Sequence, residues 1–208
     1  MHYPIEKQVH SRVFGNGKGW AFSTNDFFDL GGRSTIASAL HRLEKRGKIR
    51  PLIRGLYEFP KFSKLLGREL SPSLDQVARA LARKFGWRIQ SSGAMAANLL
   101  SLSTQVPARV TYLSDGPDRS YRIGNHTLIF KHTAMKEAGF KLRESGLVVQ
   151  ALKYLGQKHI TPEVIAKLRR AYPQKLRTKI LMDTKTATGW VYAVIQQIAA
   201  GEPSGKDS

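Results

Sequence analysis

The sequence predicts an α+β protein: a short helical segment closed by a β-hairpin, followed by a mixed α/β domain with a small antiparallel sheet and a helical C-terminal region. Three observations carry this. Apolar residues recur at helical spacing in "PIEKQVHSRV", in "STIASALHRLEK" and again in "SLDQVARALARKFG". Strand-like runs broken by turn residues occupy "IRPLIRGLYEF", "ARVTYLSDG" and "YRIGNHTLIFKH". Roughly the last 60 residues return to helical periodicity.

Taken in order, the first helix opens with Pro4 in its first turn and repeats Ile5, Val9 and Val13 on one face. The glycine-rich loop "GNGKGW" follows. A second helix is expected over "STNDFFDLGG", capped by Ser23, Thr24 or Asn25 and ended by Gly31 and Gly32. A third begins near Ser34 and ends at Gly47, which takes a left-handed C′ conformation without a Cβ penalty. The hairpin turns at Arg54-Gly55. Pro60, Gly67 and Pro72 then punctuate a basic stretch that reads as a linker. The expected organisation is an N-terminal domain over 1–62, a linker over 63–72, an α+β domain over 73–200 and a frayed tail over 201–208.

Charge narrows the partner. Thirty-four Lys and Arg against 15 Asp and Glu give a formal net charge of +19 and a pI near 10.4, a balance that favours a polyanion, most often nucleic acid. The excess is shared by the two halves, so either can touch that partner. No run of about 18 apolar residues and no apolar leader centre is present, which argues against a membrane and for the cytoplasm. The absence of cysteine excludes thiolate nucleophiles, disulfides and Cys-ligated metal sites.

The third helix is the most informative segment. Ile36, Leu40 and Leu43 share a narrow sector with Ala39 beside them, forming a stripe to bury. The far side carries Arg33, Ser34, Thr35, Ser38, His41, Arg42 and Lys45. Small polar side chains let a helix approach base edges closely, while cations reach phosphates. Three helices followed by a basic two-stranded ribbon is the order of a winged helix-turn-helix. Arg33, Ser34, Thr35, Ser38, His41 and Arg42 are thus expected to read or approach bases, and Lys45, Arg50 and Arg54 to hold phosphates of a double-stranded operator. A charged helix face that is merely solvated is the plain alternative.

The stretch "GKGWAFSTNDFFDLGGRSTIASALHRLEKRGKIRPLIRGLYEFP" resembles the N-terminal half of the AbiEi-like antitoxins, transcriptional regulators of bacterial type IV toxin-antitoxin operons. "IQSSGAMAANLLSLSTQVPARVTYLSDGPDRSYRIGNHTLIFKH" is similar to the segment that follows in one branch of that group. Motifs Arg54-Gly55-Leu56-Tyr57, Ser92-Gly93-Ala94 and Leu102 to Pro107 carry the likeness. The resemblance implies a non-enzymatic repressor that binds operator DNA, autoregulates its operon and counteracts a nucleotidyltransferase-like toxin, a functional partner with or without direct contact. It implies no cofactor.

Rival sites are weaker. Gly19 stands where a P-loop needs Ser or Thr after Lys18, and a helix precedes the loop. Of His2, His10, His41, His126, His132 and His159, His126 and His132 are the pair able to meet, across a bent hairpin, so no metal is expected. Asp115-Gly116-Pro117-Asp118 is turn chemistry. Ser91, Ser92 and Gly93 precede a helix and offer N–H groups to an anion, although capping explains the same residues. Lys167, Arg169, Arg170, Lys175, Arg177 and Lys179 form a run suited to nucleic acid, an acidic partner or solvent. Two further readings follow from charge alone. An RNA-binding or RNA-modifying protein would need Tyr112, Tyr121 and Phe130 exposed for stacking. A protein-protein module would use its charge for solubility.

Overall fold

The computed structural model describes residues 5–104, 108–133 and 140–200. Pro4, His2, the Gln105-Val106-Pro107 end of one motif and the 201–208 tail lie outside the described residues. The chain is α+β and forms two compact units. One runs to Ile89 and takes in Ser114–Phe130; the other comprises Gln90–Leu113 and the chain from Lys131 on. The first unit thus takes in residues beyond the seam as well as the N-terminal segment.

In the first unit, α1 (Ile5–Gly15) buries Val9 and Val13. It leads through turns at Gly17 and Gly19, whose φ angles are +82° and +90°, into a strand that the sequence pattern does not announce, β1 (Ala21–Ser23). The predicted second helix is reduced to a single 3-10 turn, Thr24–Phe27. Of the three candidate caps Ser23 is the one used, with Asp26 returning to the Ser23 backbone in a capping box. The turn does not lengthen because the Asp26 carbonyl, which a helix would offer to the Leu30 N–H, accepts from Arg12 Nη1 at 2.8 Å. Leu30 N–H donates instead to the Phe27 carbonyl.

The helix expected from near Ser34 is α2 (Arg33–Lys45), burying Ile36, Ala39, Leu40 and Leu43. It ends in a Schellman motif: Lys48 N–H donates to Leu43 O, Gly47 N–H donates to Glu44 O, and Gly47 has φ +64°. The hairpin β2 (Arg50–Ile53) and β3 (Leu56–Glu58) turns at Gly55, φ +72°. β1 pairs antiparallel to β3, giving a sheet of order β1-β3-β2. Val9, Val13, Phe22, Phe27, Ile36, Leu40 and Leu43 form one core beneath it.

The expected linker is not irregular throughout. It holds a small hairpin, β4 (Phe62–Ser63) with β5 (Arg68–Glu69), because Gly67 turns left-handed at φ +60° and Leu70 N–H returns to Lys61 O. After it, α3 (Leu74–Phe85) is capped by Ser73 and packs against β1 and the 3-10 turn. Arg83 fixes that packing through Asp26 Oδ1 at 2.6 Å and Ala21 O at 2.8 Å. β6 (Ile89–Ser91) follows. β8 (Arg119–Ile123) and β9 (His126–His132) form the expected hairpin, in register from Arg119↔Phe130 to Ile123↔His126.

In the second unit α4 (Gly93–Leu99) ends earlier than the periodicity suggests. Ser101 takes a left-handed φ of +56° and Leu102 N–H donates to Ala97 O, a helix stop made without glycine. The strand β7 (Arg109–Ser114) matches its predicted run. Helices α5 (Arg143–Leu155), α6 (Pro162–Ala171), α7 (Gln174–Asp183) and α8 (Gly189–Ala199) fulfil the helical expectation for the C-terminal region. Their core gathers Val148, Leu152, Leu168, Ile180, Val191 and Ile195. Asp183 accepts the Lys141 and Leu142 N–H groups before α5. Those two bonds keep its carboxyl below the ordinary value despite the desolvation that would raise it.

Candidate nucleic-acid interface

Helix α2 separates a buried apolar stripe from an exposed face, on which the partly exposed Glu44 carboxylate lies 3.9 Å from His41 Nδ1. Ile36, Ala39, Leu40 and Leu43 are at most 1% exposed, while Arg33, Ser34, Thr35, Ser38, His41, Arg42 and Lys45 are all exposed. The Arg54 side chain is exposed at the tip of the β2–β3 hairpin. Among the described residues no acidic side chain is ion-paired with Arg33, Lys45 or Arg54.

Two predicted contacts are engaged inside the unit. Arg42 Nε donates to Glu6 Oε2 at 2.7 Å, and Arg46 Nη1 donates to Glu6 Oε1 at 2.9 Å. Desolvation of Glu6, which alone would raise its pKa, is outweighed first by Arg42 and then by Arg46, so the carboxyl sits below its ordinary value. Arg42 is therefore drawn toward α1.

Arg50 departs further from its predicted role of phosphate contact. Its Nη2 lies 2.7 Å from Glu58 Oε2 and its Nη1 3.0 Å from Glu69 Oε2. It also donates to the Leu70 carbonyl at 2.5 Å. The Glu58 side chain is only 3% exposed. Burial pushes that carboxyl above its ordinary value of 4.5 even though Arg50 pulls it down. Arg50 is the counter-ion of a buried carboxylate, and a phosphate would have to break that pair.

The other predicted sites resolve differently. The loop at Lys18 joins a helix to a strand, the reverse of the order a phosphate loop requires. His126 and His132 stand at opposite ends of the single strand β9 and are not facing one another across a hairpin. Among the described residues no group of three or more His, Asp or Glu side chains is placed to hold a metal. Asp115 is taken up by Arg88, which donates from its backbone N–H and from Nε, each at 2.8 Å. Those hydrogen bonds hold the Asp115 carboxyl below its usual range. A Cβ at Gly116 would lie 2.3 Å from the Trp87 ring, so this turn is shaped by packing.

At Ser92 and Gly93 the structure shows an N-cap without a side-chain cap hydrogen bond, and packing accounts for the glycine. A Cβ there would meet Tyr154 Cβ at 2.6 Å and the Gln150 carbonyl at 3.0 Å. Gly93 lets α4 approach α5, and Ser91 is itself buried. Within the basic run, Arg169 and Arg177 donate to the Gln197 and Ile198 carbonyls, while Gln174 donates to Ala199 O. They cap the C-terminus of α8, where cations are also favoured by the helix dipole. Lys167 likewise donates to the Ser101 carbonyl. Lys175 and Lys179 remain exposed.

Tyr112 and Phe130 are fully buried and Tyr121 is half-buried with its hydroxyl covered. These rings offer no stacking platform for single-stranded RNA. Lys84, near the end of α3, was not marked by any local pattern; its significance depends on a contact with Arg54, thirty positions away.

Among the described residues no helix is long and apolar enough to cross a membrane. No curated protein matches the chain. The crystal structure of the RV2827C protein from Mycobacterium tuberculosis is similar over 94% of this chain and 74% of that one, at 13% identity and a TM-score of 0.38. A family model described as a family of unknown function, DUF6088, matches residues 6–180, and the chain belongs to that family.

Proposed function

We propose that the first unit is a winged helix-turn-helix that binds double-stranded DNA, with α2 in the major groove and the β2–β3 hairpin as the wing. The observation that carries this is the exposed face of α2: Ser34, Thr35, Ser38 and His41 between unpaired Arg33 and Lys45. Short side chains there permit close approach to base edges, and the flanking cations and Arg54 supply phosphate contacts. Arg42 leaves the base-reading set and Arg50 the phosphate set because Glu6 and Glu58 already hold them.

On this reading the chain is a non-enzymatic repressor. Its resemblance to the AbiEi-like antitoxins supports autoregulation of an operon and opposition to a nucleotidyltransferase-like toxin, for which an adjoining gene of that type is the required counterpart. The test of the interface is Ser38→Glu in the full chain. Ser38 is exposed, so the substitution leaves folding intact. It places a carboxylate against the duplex and should weaken binding by about 100-fold, the several kcal/mol that like-charge juxtaposition costs at an interface. Unchanged affinity in an electrophoretic shift assay would remove α2 from the interface.

A further inference from the structure

Lys84 occupies the last turn of α3, outside the helices and hairpin that make up the proposed DNA-binding motif. Its position is fixed by neighbours. Arg83 ties the end of α3 to Ala21 and Asp26, and Asn25 Nδ2 donates to the Lys84 carbonyl at 3.0 Å. From there the ammonium reaches the wing tip, where Nζ donates to the Arg54 carbonyl at 3.3 Å. A Cβ on Gly55 would stand 3.1 Å from that nitrogen.

The Lys84 ammonium from α3 thus stands against the backbone of the wing tip that carries the exposed Arg54. Among the described residues no carboxylate is ion-paired with Lys84 or Arg54. Partial burial, and then the charges of Arg33 and Arg54, hold the Lys84 ammonium below its ordinary pKa. Elsewhere in the unit Arg12, Arg42, Arg46, Arg50, Arg79, Arg83 and Arg88 each face a carboxylate, whereas Lys45 on α2 does not. Like charges gathered without a counter-ion raise the energy of the folded state, and an anion seated among them relieves it.

We infer that Lys84 and the wing tip form a seat for the duplex backbone, with Lys84 holding a phosphate of its own beside the one held by Arg54 and α3 reaching past the wing to complete it. The inference rests on the reading of α2 and the wing as the DNA-facing surface. It adds a contact from α3 to those of α2 and the wing.

The experiment measures binding of the full chain to a short DNA duplex over a salt series, for the wild type, Lys84→Gln and Lys84→Arg, with a thermal melt of each. Losing one phosphate contact should make the slope of log affinity against log salt shallower by about 0.9, which at about 0.1 M salt is roughly an eightfold loss. Lys84→Arg should restore the slope, and Lys84→Gln should melt no lower than the wild type because a repulsion is removed. If Lys84→Gln binds with the wild-type affinity and slope, the seat is refuted while the reading of α2 stands. If the wild type does not bind the duplex, both fall. If Lys84→Gln melts lower and Lys84→Arg fails to recover the slope, Lys84 is only a strut and the seat is again refuted.

Discussion

Replacing Arg50 with alanine should destabilise the protein by about 3–5 kcal/mol, the range found when one partner of a buried ion pair is removed. The substitution leaves Glu58 as a carboxylate with almost no exposure, beside a Glu69 that repels it. Exposed arginines that serve only as phosphate contacts behave otherwise, since surface substitutions usually change stability by less than about 0.5 kcal/mol. Acidity should modulate the effect. Burial already places the Glu58 carboxyl above 4.5 in the folded chain, with Arg50 the main opposing influence. Loss of Arg50 raises it further. An acid whose folded pKa exceeds its unfolded value contributes stability below the unfolded pKa and loses it as pH rises through the folded one. The Arg50→Ala variant should therefore be least stable relative to wild type at neutral pH and should recover as pH falls toward 4.5. Denaturant titrations at two pH values check this. A loss under about 1 kcal/mol at neutral pH, or one independent of pH, would deny Glu58 its dependence on Arg50.

Phe22→Ala should cost about 3–5 kcal/mol, the usual range for deleting a buried aromatic side chain. Phe22 is fully buried at the middle of β1. Its ring lies 4.7 Å from Trp20, 5.5 Å from Phe27 and 6.1 Å from Tyr57, centroid to centroid. Across the sheet it faces Tyr57 in register. This cluster fixes β1 on β3, and the same core supports the buried stripe of α2. DNA affinity should fall in parallel with the folded fraction and recover wherever folding is restored by lower temperature. Chemical denaturation that showed a loss below about 1 kcal/mol would mean that the cluster contributes little to the unit.

What the sequence makes legible here is local. The spacing of Ile36, Leu40 and Leu43 determines the face of α2, and Gly47 marks its end, because both signals lie within one helix and its cap. The cap before the second helical segment was legible only as Ser23, Thr24 or Asn25, and the structure selects Ser23. The missing second helix was not legible, since it is shortened by Arg12, whose side chain takes the Asp26 carbonyl from fourteen residues upstream. β1 is only three residues long and exists through pairing with Leu56 to Glu58, far along the chain. A short strand of that kind carries too little periodicity to declare itself.

The same distinction runs through the placement of the candidate site residues. Charge and helical spacing suffice to place Arg33, Ser34, Thr35, Ser38, His41 and Lys45 on one exposed face. They do not show that Glu6 reaches Arg42 and Arg46 from 36 and 40 positions away, or that Glu58 and Glu69 hold Arg50. In the second unit, Arg169 and Arg177 look like part of a phosphate-binding run until the open carbonyls at the end of α8 are seen to need donors. Formal charge counts cations, whereas function depends on which of them lack a partner.

The most direct test of the DNA-binding account is the affinity of the full chain for duplex DNA measured across a salt series. With about four phosphates neutralised by Arg33, Lys45, Arg54 and Lys84, log affinity should fall against log salt with a slope of about −3.6. A flat response, or no binding at low salt, would contradict the account.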